Sequence, residues 1–181
     1  MPLAPEYYTA DMVRSLPDDG RRYELVHGEL LVTPAPRRAH QRVVVRLIQA
    51  LGPYCVRERL GEVMTSPADI SWSDATLVQP DVFVVAREQS GGAEWREIRD
   101  LDLVIEVLSP STARQDRFQK RKLYQAMGVG TLWLIDLEQR RVEVWRPDSL
   151  FPDLETTRLR WAPSGASVPL ELDLGGLLDG C

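Results

Sequence analysis

Two acidic side chains stand where the surrounding residues are apolar. Glu106 is the one polar residue of the run LVIEVL at 103–108, and Asp81 opens the apolar run DVFVV at 81–85. An ionised carboxylate among aliphatic side chains costs several kcal/mol unless a cation, a metal or a set of donors meets it. Two partners for Glu106 are in reach of sequence logic. The first is Lys120: Asp116, Lys120 and Tyr124 are spaced four apart in a stretch of helix-forming composition, drift about 40° per step and share one face. The second is a divalent cation held jointly with Asp81. Each acid also has a structural reading, Asp81 as a turn cap after Pro80 and Glu106 as an ion pair with an arginine.

The elements that must position these residues follow from periodicity. Residues 103–108 read as a strand covered on both faces, and Ser109-Pro-Ser-Thr112 supplies Pro and hydroxyls that start a helix running to Gly128. Upstream, Thr9 caps a short helix at 9–16, and Arg22-Tyr-Glu-Leu-Val26 and Glu29-Leu-Leu-Val-Thr33 flank His27-Gly28 as a tight hairpin. Apolar residues at 43, 44, 47, 48, 51 and 54 mark a long amphipathic helix over 40–60, with Pro53 kinking or dividing it. Strands are expected at 62–72 and 77–85, joined at 73–75, and again at 131–136 and 141–146, with a loop at 89–93 between them. After Pro147 come short strand-like pieces and a weakly helical 174–178. The order argues for a sheet carrying helices on its faces, with a parallel crossover from 103 to 136 and a ligand site at strand ends.

The 181 residues, 44% apolar and 27% charged, predict one domain with a core at about 20–147 and a C-terminal extension at 148–181. Cys55 and Cys181 form no disulfide framework and no zinc spacing. With no signal-peptide pattern and no apolar run of membrane-spanning length, a reducing cytoplasmic location is expected. A net charge of −5 gives no general attraction to nucleic acid, so binding must use local patches or a metal. Arg114, Arg117, Lys120, Arg121 and Lys122 form one such patch, which is otherwise a solvated helix face. His27 and His40 are too few and too far apart for a histidine metal site and read as turn or capping residues. Trp72, Trp133 and Trp145 read as core or dimer contacts.

Pro80-Asp81, Val104-Ile-Glu106-Val-Leu-Ser-Pro-Ser-Thr112, Asp116 with Lys120 and Tyr124, and Gly128-Val129 leading to Leu132-Trp-Leu-Ile-Asp136 together resemble the Uma-two family of predicted restriction endonucleases, a branch of the PD-(D/E)XK nuclease superfamily. Tyr23-Glu-Leu-Val-His-Gly-Glu29 and His40-Gln41 are similar to it as well, so the resemblance spans about residues 7–178. It implies an α/β (α+β) fold: a restriction-endonuclease-like mixed sheet flanked by helices, with N-terminal and C-terminal β-hairpins. It implies Asp81 and Glu106 as ligands of Mg²⁺ or Mn²⁺, the Val107 carbonyl as a further ligand, and Glu24 as an additional acid, although Glu24 by itself reads as a surface hairpin residue or a structural partner that can point inward or outward. The superfamily expects a lysine two residues after the second acid. Leu108 stands there, and the resemblance transfers the role to Lys120.

The expected activity is metal-dependent hydrolysis of DNA phosphodiester bonds, with Lys120 orienting water or stabilising charge, Arg114, Arg117 and Arg121 available to DNA, and a homodimer to cut two strands. A non-catalytic nuclease-fold module that binds nucleic acid or protein is the alternative. A carboxylate-based glycosidase is less compatible with the nearby lysine.

Overall fold

The computed structural model describes residues 7–92 and 94–181; residue 93, in the loop expected at 89–93, lies outside them. Helix α1, Ala10–Arg14, starts where Thr9 accepts a hydrogen bond from the Met12 amide at 3.3 Å. The hairpin of β1, Arg22–Val26, and β2, Glu29–Thr33, turns on His27 and Gly28 with φ of 51° and 81°. Positive φ at both positions matches the right-handed twist of the paired strands. Helix α2, Arg38–Glu58, runs through Pro53 without division and ends at Arg59 in the left-handed conformation.

Six strands form the central sheet in the order β3-β4-β5-β6-β7-β8. They are β3 Glu62–Thr65, β4 Val82–Val85, β5 Leu101–Leu108, β6 Leu132–Asp136, β7 Arg141–Trp145 and β8 Asp153–Glu155. β5 and β6 pair in parallel and every other pair is antiparallel, so the sheet is mixed. The expected crossover from 103 to 136 is the β5-to-β6 connection. The strands expected at 62–72 and 77–85 are shorter: between β3 and β4 the ladder shrinks to a single bridge, Ile70 to Val78. Pro67 and Pro80 remove two backbone donors from this segment, which limits its pairing.

Side chains from alternate strand positions build a core on each face. Val82, Val84, Ile105, Val107 and Trp133 pack with Val43, Leu47 and Leu51 of α2. The C-terminal hairpin, β9 Arg158–Trp161 with β10 Leu170–Asp173, closes this side together with α5, Leu174–Leu177. On the other face Phe83, Val104, Leu108 and Leu134 pack with Leu123 and Tyr124 of the helical segment and with Val26 and Leu31 of the N-terminal hairpin. The helical segment, residues 113–126, consists of α3, Ala113–Gln115, a π segment, Asp116–Lys120, and α4, Arg121–Ala126. The result is the expected mixed sheet flanked by helices, with a β-hairpin at each end of the chain.

Candidate active site

Asp81 and Glu106 are neighbours across β4 and β5. Continuing the register Val82–Ile105 by one residue sets Asp81 opposite Glu106, and opposed residues of an antiparallel pair share a face. One step further sets Pro80 opposite Val107. Proline has no N–H, so it cannot donate to the Val107 carbonyl, while the Val107 amide donates instead to Asp81 Oδ2 at 2.8 Å. Because N–H and C=O of one strand residue point to the same side, the Val107 carbonyl faces the Asp81 side of β5 with no ladder donor from Pro80.

Asp81 is 2% exposed and accepts two further contacts. Arg22 Nη1 lies 2.8 Å from Oδ1, and His40 Nε2 lies 2.9 Å from Oδ2. Burial works against the charged form of Asp81, but His40 and Arg22 outweigh it and hold the carboxyl well below its usual range. His40, expected in a capping or turn role, is instead drawn to Asp81 because the first turn of α2 sits over this end of the sheet. Its Nδ1 is buried with no partner among the described residues.

Glu106 is 1% exposed. Lys120 Nζ stands 2.6 Å from its Oε1, and the Tyr124 hydroxyl donates to the same oxygen at 2.6 Å. Lys120 Nζ is also 2.8 Å from Glu24 Oε1 and 3.7 Å from Asp116 Oδ1. It sits among three acids without a well-directed hydrogen bond to any of them. Burial pushes Glu106 up to about 8; Lys120 opposes that shift, and Asp81, Asp116 and Glu24 add to it. Burial alone would lower Lys120, but Glu106, Glu24 and Asp116 hold it protonated well above the usual lysine range.

Asp116, Lys120 and Tyr124 share the inward face as their spacing requires, although the helix carrying them is not regular. The Arg121 amide donates to the Asp116 carbonyl five residues back, and such a wider turn reduces the angular drift between residues four apart. Glu24, read from sequence as a surface hairpin residue or a structural partner, is 2% exposed and partnered; it accepts from the Gln79 amide at 2.8 Å and lies 3.7 Å from Arg22. Its inward orientation comes from packing β1 against the sheet, which a two-residue period alone leaves open.

A cleft of about 1260 Å³ opens on this end of the sheet. Asp81, Glu106, Val107, Asp116, Arg22 and His40 line it, whereas Lys120 and Glu24 lie behind the lining. Four exposed arginines, Arg14, Arg21, Arg37 and Arg140, stand on its walls. The basic helix is placed differently. Arg117 is tied to Glu143 and Asp136, both at 2.7 Å, and Arg121 stacks on Trp145 at 4.3 Å and donates to the Arg117 carbonyl. Arg114 is exposed, and none of the three lines the cleft. Trp72, Trp133 and Trp145 are spent on packing: Trp133 is fully buried beside Trp161, and Trp72 meets Tyr124 edge-on.

Arg22, His40 and Asp116, together with the wall arginines Arg14, Arg21, Arg37 and Arg140, are cleft residues that sequence reasoning left without a site role. The available signals were Arg22 two residues before Glu24 on one strand face and the opening position of His40 in a long helix. Two carboxylates and an unladdered carbonyl form an all-oxygen donor set suited to a hard divalent cation. No three Asp, Glu, His or Cys groups among the described residues converge as a ready-made cage. Mg²⁺ typically takes one or two carboxylates and completes its shell with water and substrate phosphate, so the residues present fit it.

A crystal structure described as that of a putative nuclease belonging to DUF820, from Anabaena variabilis, superposes with a TM-score of 0.77 at 23% identity, covering 94% of this chain and 97% of that one. At that identity the likeness speaks for the fold. No curated protein matches the chain. The family model described as "Putative restriction endonuclease" matches residues 9–177, nearly the whole length and including Arg22, His40, Asp81, Glu106, Val107 and Asp116 of the cleft, and the chain therefore belongs to that family, Uma2.

Proposed function

We propose that the protein is a divalent-metal-dependent endonuclease that hydrolyses DNA phosphodiester bonds in this cleft. The observation that carries the reading is Asp81 and Glu106, opposed at the end of the sheet, lining a cleft walled by arginines in a chain of the restriction-endonuclease family. Asp81, Glu106 and the Val107 carbonyl would hold Mg²⁺ or Mn²⁺. When bound, such an ion supplies a nucleophilic water and charge for the developing phosphorane.

The remaining steps belong to the chain. Arg14, Arg21, Arg37 and Arg140 bind the phosphate backbone and bring it against the acids. Lys120 lies behind Glu106, so it acts by stabilising charge and fixing the Glu106 carboxylate rather than by orienting water directly. Glu24 holds Lys120 from the other side. Asp116, which lines the cleft, is a further acid able to accept a hydrogen bond from a water there. We also take residues 1–181 as one nuclease-like domain acting in the cytoplasm, on the strength of a shared core and two free cysteines. No helix among the described residues is long and apolar enough to cross a membrane. The homodimer reading is supported by Leu150 and Phe151, 85% and 82% exposed, and Leu154 on the edge strand β8.

A second reading, a nuclease-fold module that binds nucleic acid or protein without cutting it, draws on Arg22 and Lys120 already neutralising the acids and on His40 already bonded to Asp81. The deciding experiment titrates Mg²⁺ and Mn²⁺ into the wild type and Asp81→Ala/Glu106→Ala by calorimetry and assays both on supercoiled plasmid and single-stranded DNA. Metal binding and nicking confined to the wild type support the nuclease. Cleavage retained by the double variant removes the assignment, and nucleic-acid binding without metal-dependent cleavage favours the module.

A further inference from the structure

Asp81 has unequal oxygens. Oδ2 accepts from both the Val107 amide and His40, which uses its two lone pairs, while Oδ1 accepts from Arg22 alone. A cation bound by Asp81 must therefore draw on Oδ1, at the position where the Arg22 guanidinium stands 2.8 Å away. Two positive groups on one oxygen repel strongly in a buried site.

The three basic side chains around the acids differ in freedom. The Lys120 side chain is 2% exposed and enclosed by Glu24, Glu106 and Asp116. His40 is 13% exposed, and the Arg22 side chain, at 22%, is the most open of the three. Arg22 lines the cleft from β1, and its remaining contacts are the Gln79 carbonyl at 3.2 Å and Glu24 at 3.7 Å. Its planar fork suits a phosphodiester in two-point contact.

We propose that Arg22 serves this site in two positions: at Asp81 Oδ1 it takes the place of the divalent cation, and once that cation binds it turns into the cleft and grips the phosphate to be cleaved. The second position rests on the nuclease reading above; the first does not. Arg22 is then a phosphate-binding residue that also sets the threshold for metal loading. If it only held Asp81 in place, its loss would weaken metal binding.

The test compares wild type, Arg22→Gln and Arg22→Lys, each checked for folding by circular dichroism and thermal melting. Mn²⁺ is titrated by calorimetry without nucleic acid, and plasmid nicking is then measured at saturating Mn²⁺. Arg22→Gln should bind Mn²⁺ roughly fivefold tighter or more. Its nicking at saturation should fall about 100-fold or more. Arg22→Lys should keep metal binding close to wild type and recover part of the nicking. Weaker Mn²⁺ binding in Arg22→Gln overturns the proposal in favour of a structural role. Tighter binding with unchanged nicking overturns the phosphate position. A wild type that binds Mn²⁺ but neither binds nor nicks DNA removes the nuclease reading and the phosphate position together, while the Mn²⁺ titrations still decide the first position.

Discussion

Tyr124 and Lys120 meet on one oxygen: both the phenolic hydroxyl and the ammonium lie 2.6 Å from Glu106 Oε1. The carboxylate aimed at the cleft is thus fixed from behind by two groups of one helix. Tyr124→Phe keeps the ring packing against Trp72 and removes the donor alone. A lost hydrogen bond to a buried acid costs about 1.5–3 kcal/mol, a fall in Tm of roughly 3–12 °C for a chain of this length. Calorimetry should show that fall, and nicking should slow about tenfold as Glu106 loses its orientation. A variant that melts and nicks like the wild type would separate Tyr124 from the site.

Glu106 makes folding depend on pH. It is pushed up to about 8, chiefly by burial, from an ordinary value of 4.5. Between these values the folded protein holds a proton that the unfolded chain has released, so its contribution to stability is present below about pH 4.5 and is lost as pH rises through about 8. Glu106→Gln removes this dependence. The Tm difference, variant minus wild type, should grow from pH 5 to pH 8.5 and become positive by the upper end. A difference that stays flat across this range would contradict the burial of Glu106.

Lys120 neutralises three acids that are all nearly inaccessible. Lys120→Met leaves them uncompensated, which costs about 3–5 kcal/mol. Thermal melting should fall by roughly 6–20 °C at pH 8. The loss should shrink at pH 5, where Glu106 and Asp116, both raised by burial, can take up protons instead. Equal losses at both pH values would place the stabilisation in the lysine's packing rather than its charge.

The arginines of the cleft and those of the basic helix make different predictions. Arg37→Glu and Arg140→Glu should weaken DNA binding, and removing each positive contact should reduce the salt slope by about 1. Arg117→Ala should leave binding near wild type and lower stability instead, because it strands Asp136 and Glu143. Filter binding at several salt concentrations distinguishes the two groups. Strong loss of DNA binding on removing Arg117 would return the nucleic-acid track to the helix.

Leu150, Phe151 and Leu154 beside the open edge of β8 predict self-association. Sedimentation at micromolar concentration should show a dimer for the wild type and a monomer for Leu150→Asp/Phe151→Asp. A wild-type monomer ends that reading.

By itself the sequence determined that Asp81 and Glu106 needed a partner, since a lone acid in an aliphatic strand is an unmet cost wherever the strand lies. It also determined the two-residue hairpin at His27-Gly28 and the four-residue spacing that puts Asp116, Lys120 and Tyr124 on one face, because these depend on local backbone geometry. Only the tertiary structure decided which basic side chains answer which acids. Arg22, His40 and Lys120 come from a hairpin, the opening of a long helix and a π turn, far apart in sequence, and no local period relates them. It also decided that Glu24 faces inward, that Arg117 is consumed by Asp136 and Glu143, and that the Val107 amide donates to Asp81. Register across a sheet and the orientation of one layer on another are set by the packing of the whole core, so the site was legible as a set of acids and became a cleft only when that core assembled.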